Sequence, residues 1–288
     1  MRFTLTVAAL SGIAVLGQAQ DIKPAPVLNI IRETLKEGRG PAHEKVEAEY
    51  AATFRKANHP ARYVALAAMS GASEVWFVEP MPSFAVNQEW EKASEKEPLR
   101  SALGMMESRD GELRASSRTM WAVYNPEMSY HPERFNPGKT RYVMAGVYRI
   151  KIGHDADLMA GSKAYLAAWE KAHLEGCTLA YQVVFGAPAG TYLFFSMMES
   201  MKTLDEAPAR MQAIMQAMGA DQFAQFMKGA GDLFVSMDET LLEVKPGMSY
   251  PPQQFIDADP GFWKPKATPK PAGPTSSGGV PAPEKKPQ

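Results

Sequence analysis

Cysteine is almost missing from this chain: Cys177 is the single one in 288 residues. One thiol cannot form an intrachain bridge, so a disulfide framework is excluded and stability must come from core burial. Cys177, flanked by Gly176 and Thr178, reads as a small packing residue. Neither sign of charge is in excess: 31 Lys and Arg face 32 Asp and Glu, a net charge of -1. That removes the basic surface on which nucleic-acid or anionic-membrane partners depend. Past the N-terminus no apolar run has the length of a membrane span. Catalytic signatures are missing too. There is no HExxH, CxxC, Gly-rich phosphate loop or GxSxG, and no motif requires a cofactor or a metal.

What is present begins with two ends that are not fold. Arg2, the apolar run "FTLTVAALSGIAVL" and the small residues Gly17 and Ala19 form a secretory signal peptide over residues 1–19. The mature chain is therefore expected in a periplasm or outside the cell, with no membrane span after cleavage. From Lys264 to Gln288 the chain is rich in Pro, Gly, Ser and Lys and poor in large apolar side chains. Residues 264–288 are expected to be a disordered tail, because they cannot bury enough surface to offset ordering entropy.

Between these ends the sequence writes one unusual octamer twice, "MSYHPERF" at 128–135 and "MSYPPQQF" at 248–255. An offset of 115 residues aligns "KEG" at 36–38 with "KIG" at 151–153, Tyr50 with Tyr165, "FRKAN" with "WEKAH" and Gly71 with Gly186. By the octamers the offset has drifted to 120. Ordered matches with offsets drifting one way indicate a duplicated unit, too long for a solenoid repeat. Each copy reads β-α-β-β-α-β. Strands are expected at 27–35, 62–70, 74–80 and 118–124, and again at 142–150, 179–185, 191–197 and 239–244. Helices are expected at about 41–58 and 84–107, then at 155–174 and 203–230. Asn125-Pro126 and Lys245-Pro246 are expected to stop the last strands, and each octamer to fold back as an aromatic clasp over its own unit.

This order resembles the dimeric α/β-barrel superfamily. That superfamily includes NIPSNAP-like proteins, antibiotic-biosynthesis-type monooxygenases and EthD-like proteins, with chlorite dismutases and dye-decolorising peroxidases as haem-binding relatives. The resemblance implies an α+β fold in which two ferredoxin-like units, residues 25–135 and 141–255, join antiparallel sheets into one intrachain barrel.

Candidate site residues come from the first helix of each copy. Tyr165, Trp169 and His173 recur at i, i+4 and i+8 on one helical stripe. The matching stripe is Tyr50, Phe54 and Asn58. Only the second stripe ends in a titratable group, so the second copy is expected to hold any active site. His173 and Asn58 equally suit helix ends. "HDAD" at 154–157 is expected to open a helix, and Met211, Met215 and Met218 to supply adaptable core. Three functions follow: a module that binds a small apolar ligand or is structural, a cofactor-independent monooxygenase-like enzyme acting on an apolar or aromatic molecule, and a haem protein.

Overall fold

The computed structural model describes residues 22–264. The expected signal peptide, and the expected tail from residue 265 on, lie outside the described residues. The first half contains β1 (Val27–Leu35), α1 (Gly40–Ala57), β2 (Val64–Ala68), β3 (Glu74–Met81), α2 (Val86–Ser94), α3 (Leu99–Gly111) and β4 (Arg114–Tyr130). The second contains β5 (Tyr142–Ile150), α4 (Asp155–Lys171), β6 (Thr178–Phe185), β7 (Thr191–Met198), α5 (Lys202–Asp205), α6 (Ala207–Met218), α7 (Ala220–Leu233) and β8 (Phe234–Val244). Two short helices follow, α8 (Gln253–Ala258) and α9 (Pro260–Trp263). No described helix is long and apolar enough to cross a membrane.

All eight strands form a closed antiparallel barrel in the order β1-β3-β2-β8-β5-β7-β6-β4. The first half contributes β4-β1-β3-β2 and the second β8-β5-β7-β6, joined at β2–β8 and β4–β6. The period of two along each strand decides what points where. On β1, Leu28 and Ile30 join the interior cluster with Trp76, Tyr181, Leu193, Phe195 and Leu242. Each large apolar side chain so buried contributes about 1.5–3 kcal/mol. The alternate residues of β1 face outward, where Val27 and Leu35 join separate clusters outside the barrel. The barrel lumen is thus a packed core, and helix-facing residues have a second, independent layer.

Four expectations are corrected. Met211 and Met215, expected in the core, are exposed on α6. The long helices break where backbone chemistry demands it. Pro98 separates α2 from α3, and Gly219, at φ 88°, separates α6 from α7. Pro126 does not stop its strand. β4 runs on to Tyr130, and the ladder with β6 shifts register between Asn125 and Tyr130, an irregularity where a residue without an N–H is tolerated.

The clasps also cross over. Ser129 Oγ donates to Asn125 O and accepts from Ala180 N of the second half, while the Tyr130 hydroxyl donates to Leu174 O at 2.9 Å. Ser249 Oγ donates to Lys245 O and accepts from Ala65 N of the first half, while the Tyr250 hydroxyl donates to His59 O at 3.1 Å. Tyr130 meets Trp169 edge-on at 4.5 Å, and Tyr250 stacks 6.3 Å from Phe54. The octamer residues and Asn125/Lys245 repeat at an offset of 120, and their partners in the opposite half, Ala65/Ala180, His59/Leu174 and Phe54/Trp169, at 115. The reason is the barrel itself: β4 neighbours β6 and β8 neighbours β2, so each last strand delivers its octamer to the opposite half.

Candidate functional site

Buried charge gathers between sheet and helices in the first half. Glu33 comes from the outward face of β1, and His43 and Glu47 from the buried face of α1. Asp110 comes from the last turn of α3, and Arg114 from the start of β4. His43 and Glu47 are four apart on α1 and so share its buried face, whereas Arg114 reaches Asp110 across the α3–β4 junction. Glu33, His43, Glu47 and Asp110 are at most 6% exposed. His43 Nε2 lies 2.9 Å from Glu33 Oε2, 3.5 Å from Asp110 Oδ1 and 4.0 Å from Glu47 Oε1. Arg114 grips the far side of the same carboxylates, Glu33 Oε1 at 2.5 Å and Asp110 Oδ2 at 3.0 Å, and reaches out to Glu107.

The acids crowd one another. Burial, with Asp110 and Glu33 nearby, pushes the Glu47 carboxyl up to about 9. Burial and the Glu33 charge raise Asp110, against the pull of His43 and Arg114. Asp110 Oδ1 and His43 Nδ1 are buried without a hydrogen-bond partner. The same places in the second half, by the offsets of 115 and 120, hold Tyr148, Leu158, Ser162, Ala230 and Phe234. Leu158 and Phe234 pack there in an apolar cluster with Ile150 and Leu233. Buried carboxylates are therefore a property of the first half alone among the described residues.

Beyond the cluster, the same sheet-to-helix layer opens to a cleft of about 370 Å³ lined by Phe54, His59, Glu79, Asn87, Trp90 and Ser94, among others. Glu79 stands on β3 with its Oε2 accepting from Asn29 Nδ2 at 2.6 Å. Burial raises its pKa, and the Asn29 contact only partly offsets that. His59 is fully committed: Nδ1 accepts from Ala61 N at 3.2 Å, and Nε2 donates to Trp90 O at 3.2 Å. Burial lowers its pKa, and its two hydrogen bonds pin α2 to the loop before β2. A second shallow space of about 280 Å³ lies beside Arg141, Glu199 and Phe262.

The structure joins Tyr165 and Trp169, with ring centroids 6.0 Å apart and Phe226 stacked on Tyr165 at 5.6 Å. It separates His173, which is exposed and left-handed at φ 52°, just beyond the end of α4. Asn58 holds the matching place after α1 at φ 48° and is exposed as well. Tyr50 sits beside the charged cluster, its hydroxyl donating to Glu107 at 3.4 Å. Glu33, Glu47, Glu79, Asp110 and Arg114 were not legible as a site. Two signals do point to them: a lone acid on the outward face of an apolar strand, and acid and His spaced by four on a buried helix face.

No protein-family model and no curated protein matches this sequence. Among solved structures, a candidate monooxygenase from Fusobacterium nucleatum subsp. nucleatum aligns with a TM-score of 0.50 at 9% identity, over 77% of this chain and 94% of that one. A mutant chlorite dismutase from Candidatus Nitrospira defluvii aligns with a TM-score of 0.50 at 11% identity, over 81% of this chain and 96% of that one. An anthrone oxidase-like protein aligns with a TM-score of 0.48 at 12% identity, over 79% of this chain and 93% of that one. At such identities the likeness is one of fold alone, an α+β chain closed into an antiparallel eight-stranded barrel.

Proposed function

We propose that this chain is an exported protein that binds a small, flat, partly apolar molecule in the cleft of its first half and exchanges a proton with it through Glu79. One observation carries the reading. A carboxyl with a raised pKa lines a cleft of about 370 Å³ that also presents the rings of Phe54 and Trp90. That combination of aromatic area, one converging acid and a volume near the lower end of small-ligand sites suits recognition of a compact aromatic molecule. Asn29 holds Oε2 of Glu79, and Oε1 has no hydrogen bond among the described residues. Oε1 is thus the atom that would meet a ligand proton.

The enzymatic form of this reading is a cofactor-independent oxygenase. A carboxylate whose proton affinity is raised by burial is a stronger base than one in water. Taking a proton from an electron-rich aromatic substrate would leave an anion for molecular oxygen to oxidise. The Fusobacterium neighbour's name gives this form its direction. The haem reading is disfavoured at the cleft, because both ring nitrogens of His59 are already engaged. We propose too that the halves arose by duplication. The matched strand orders and the matched Ser and Tyr hydrogen bonds support this. Export rests on residues 1–19, and the mature chain is expected to begin at Gln20 or Asp21.

The test is a calorimetric and thermal-shift screen of aromatic acids, phenols and polycyclic ketones, with an oxygen electrode on every binder. Ligands are expected to bind the parent and to lose at least about tenfold in affinity in Trp90→Leu. Glu79→Gln should keep binding within a few-fold and lose any oxygen uptake. Binders indifferent to Trp90→Leu would show that the cleft is not the site.

A further inference from the structure

We infer that the first half holds a divalent transition-metal site, with Glu33 Oε2, His43 Nε2, Glu47 Oε1 and Asp110 Oδ1 as its ligands. The reading is independent of the cleft. The donor set comes first. Three carboxylates and one imidazole are hard-to-borderline donors, suited to Zn²⁺ or Mn²⁺ and unsuited to soft ions such as Cu⁺. No cysteine contributes, and Cys177 lies elsewhere, in the barrel core.

Geometry comes second. The four atoms all lie within 4.8 Å of one another, and His43 Nε2 is 2.9, 3.5 and 4.0 Å from the three oxygens. Metal bonds of 2.0–2.2 Å in a tetrahedron would set ligand atoms about 3.3–3.6 Å apart. The observed spacings bracket that value, so small side-chain adjustments would bring all four atoms to one ion.

Orientation comes third, and it points inward. Arg114 holds the outer oxygen of Glu33 and the outer oxygen of Asp110. Each carboxylate is thereby left with its other oxygen turned toward His43. Outer contacts of this kind fix the direction of metal ligands in known sites. The inner oxygen of Asp110, on a side chain only 2% exposed, has no hydrogen-bond partner. A buried acceptor left unpaired is costly, and a bound cation would satisfy it.

The experiment uses the full chain without a histidine tag, stripped with chelator and dialysed, then titrated with Zn²⁺ and separately with Mn²⁺. Stoichiometry is read by calorimetry and elemental analysis, and stability by thermal unfolding. One ion per chain is expected, with a melting temperature that rises with metal concentration. Glu47→Gln makes no change to the Arg114 contacts, so it should fold, and it should weaken the metal at least about tenfold. Asp110→Asn should do the same. His154→Asn, at an exposed helix start, should leave binding unchanged. Absence of binding for both ions would overturn the site. So would a one-to-one complex unaffected by Glu47→Gln, whether or not Asp110→Asn folds.

Discussion

At the scale of single residues, the informative positions are polar groups placed where the local pattern asks for apolar ones. Glu79 is the clearest. It alternates along β3 with Trp76 and Val78, and falls on the outward face beside Phe77 and Met81. Its raised pKa has a thermodynamic sign. A carboxyl whose folded pKa lies above its unfolded one gives its full contribution below the unfolded value, near pH 4.5, and loses it as pH climbs through the folded value. Glu79→Gln keeps an oxygen for Asn29 and removes the ionisation. Its melting temperature relative to the parent is therefore expected to improve steadily from pH 5 to pH 8. A difference that stays flat across that range, in matched thermal scans, would contradict the burial argument. His173 illustrates the opposite lesson. Its spacing behind Tyr165 and Trp169 suggested a stripe, but the helix ends before it. His173 is an exposed left-handed residue past the end of α4, where the helical period no longer applies, and Asn58 after α1 is the same. Residue type was legible there, whereas direction was not.

At the scale of elements, the regular strands were the most legible feature. "VLNIIRETL" and "YVMAGVYRI" span β1 and β5 end to end, because alternation and bounding Gly turns leave little choice. Gly71 and Gly186 turn at φ 77° and 83° between paired strands. A Cβ on Gly186 would collide with the backbone of Thr119, so that turn admits no other residue without a shift. The charged cluster was less legible, since its members come from β1, α1, α3 and β4, and only the fold brings them together. The octamers fall in between. Their repetition was visible, but their destination needed the order of strands around the barrel. Their serines carry a specific expectation. Ser249 is fully buried and serves Ala65 N and Lys245 O at once. Ser249→Ala would leave the buried Ala65 N–H without its acceptor, at a cost of about 1–3 kcal/mol. Ser129→Ala should cost a similar amount through Ala180. Urea unfolding of both variants is the measurement, and a change below about 0.5 kcal/mol would deny the clasps a structural role.

At the scale of the whole molecule, neither half is complete by itself. Met248 and Tyr250 belong to the same buried cluster as Leu35, Tyr63 and Phe77. Met128 belongs to the one containing Ile150, Leu158 and Tyr192. Each half also has two strand edges that only the other half pairs. Residues 22–135 made alone are therefore expected to associate with a second copy or to aggregate through those edges. Size-exclusion chromatography with light scattering would settle it, and a stable folded monomer is the outcome that would refute the argument. The crossed clasps also impose an order in time. Tyr250 meets His59 across 191 positions of chain, and Ser249 meets Ala65 across 184. Closing such long loops is slow, and a ribosome delivers residues in sequence. The layer that holds Tyr63 and Phe77 must therefore wait, unfinished and sticky, until Tyr250 has been synthesised. For this chain the N-terminal half is made first and finished last, and whatever escorts the nascent polypeptide has to cover that interval.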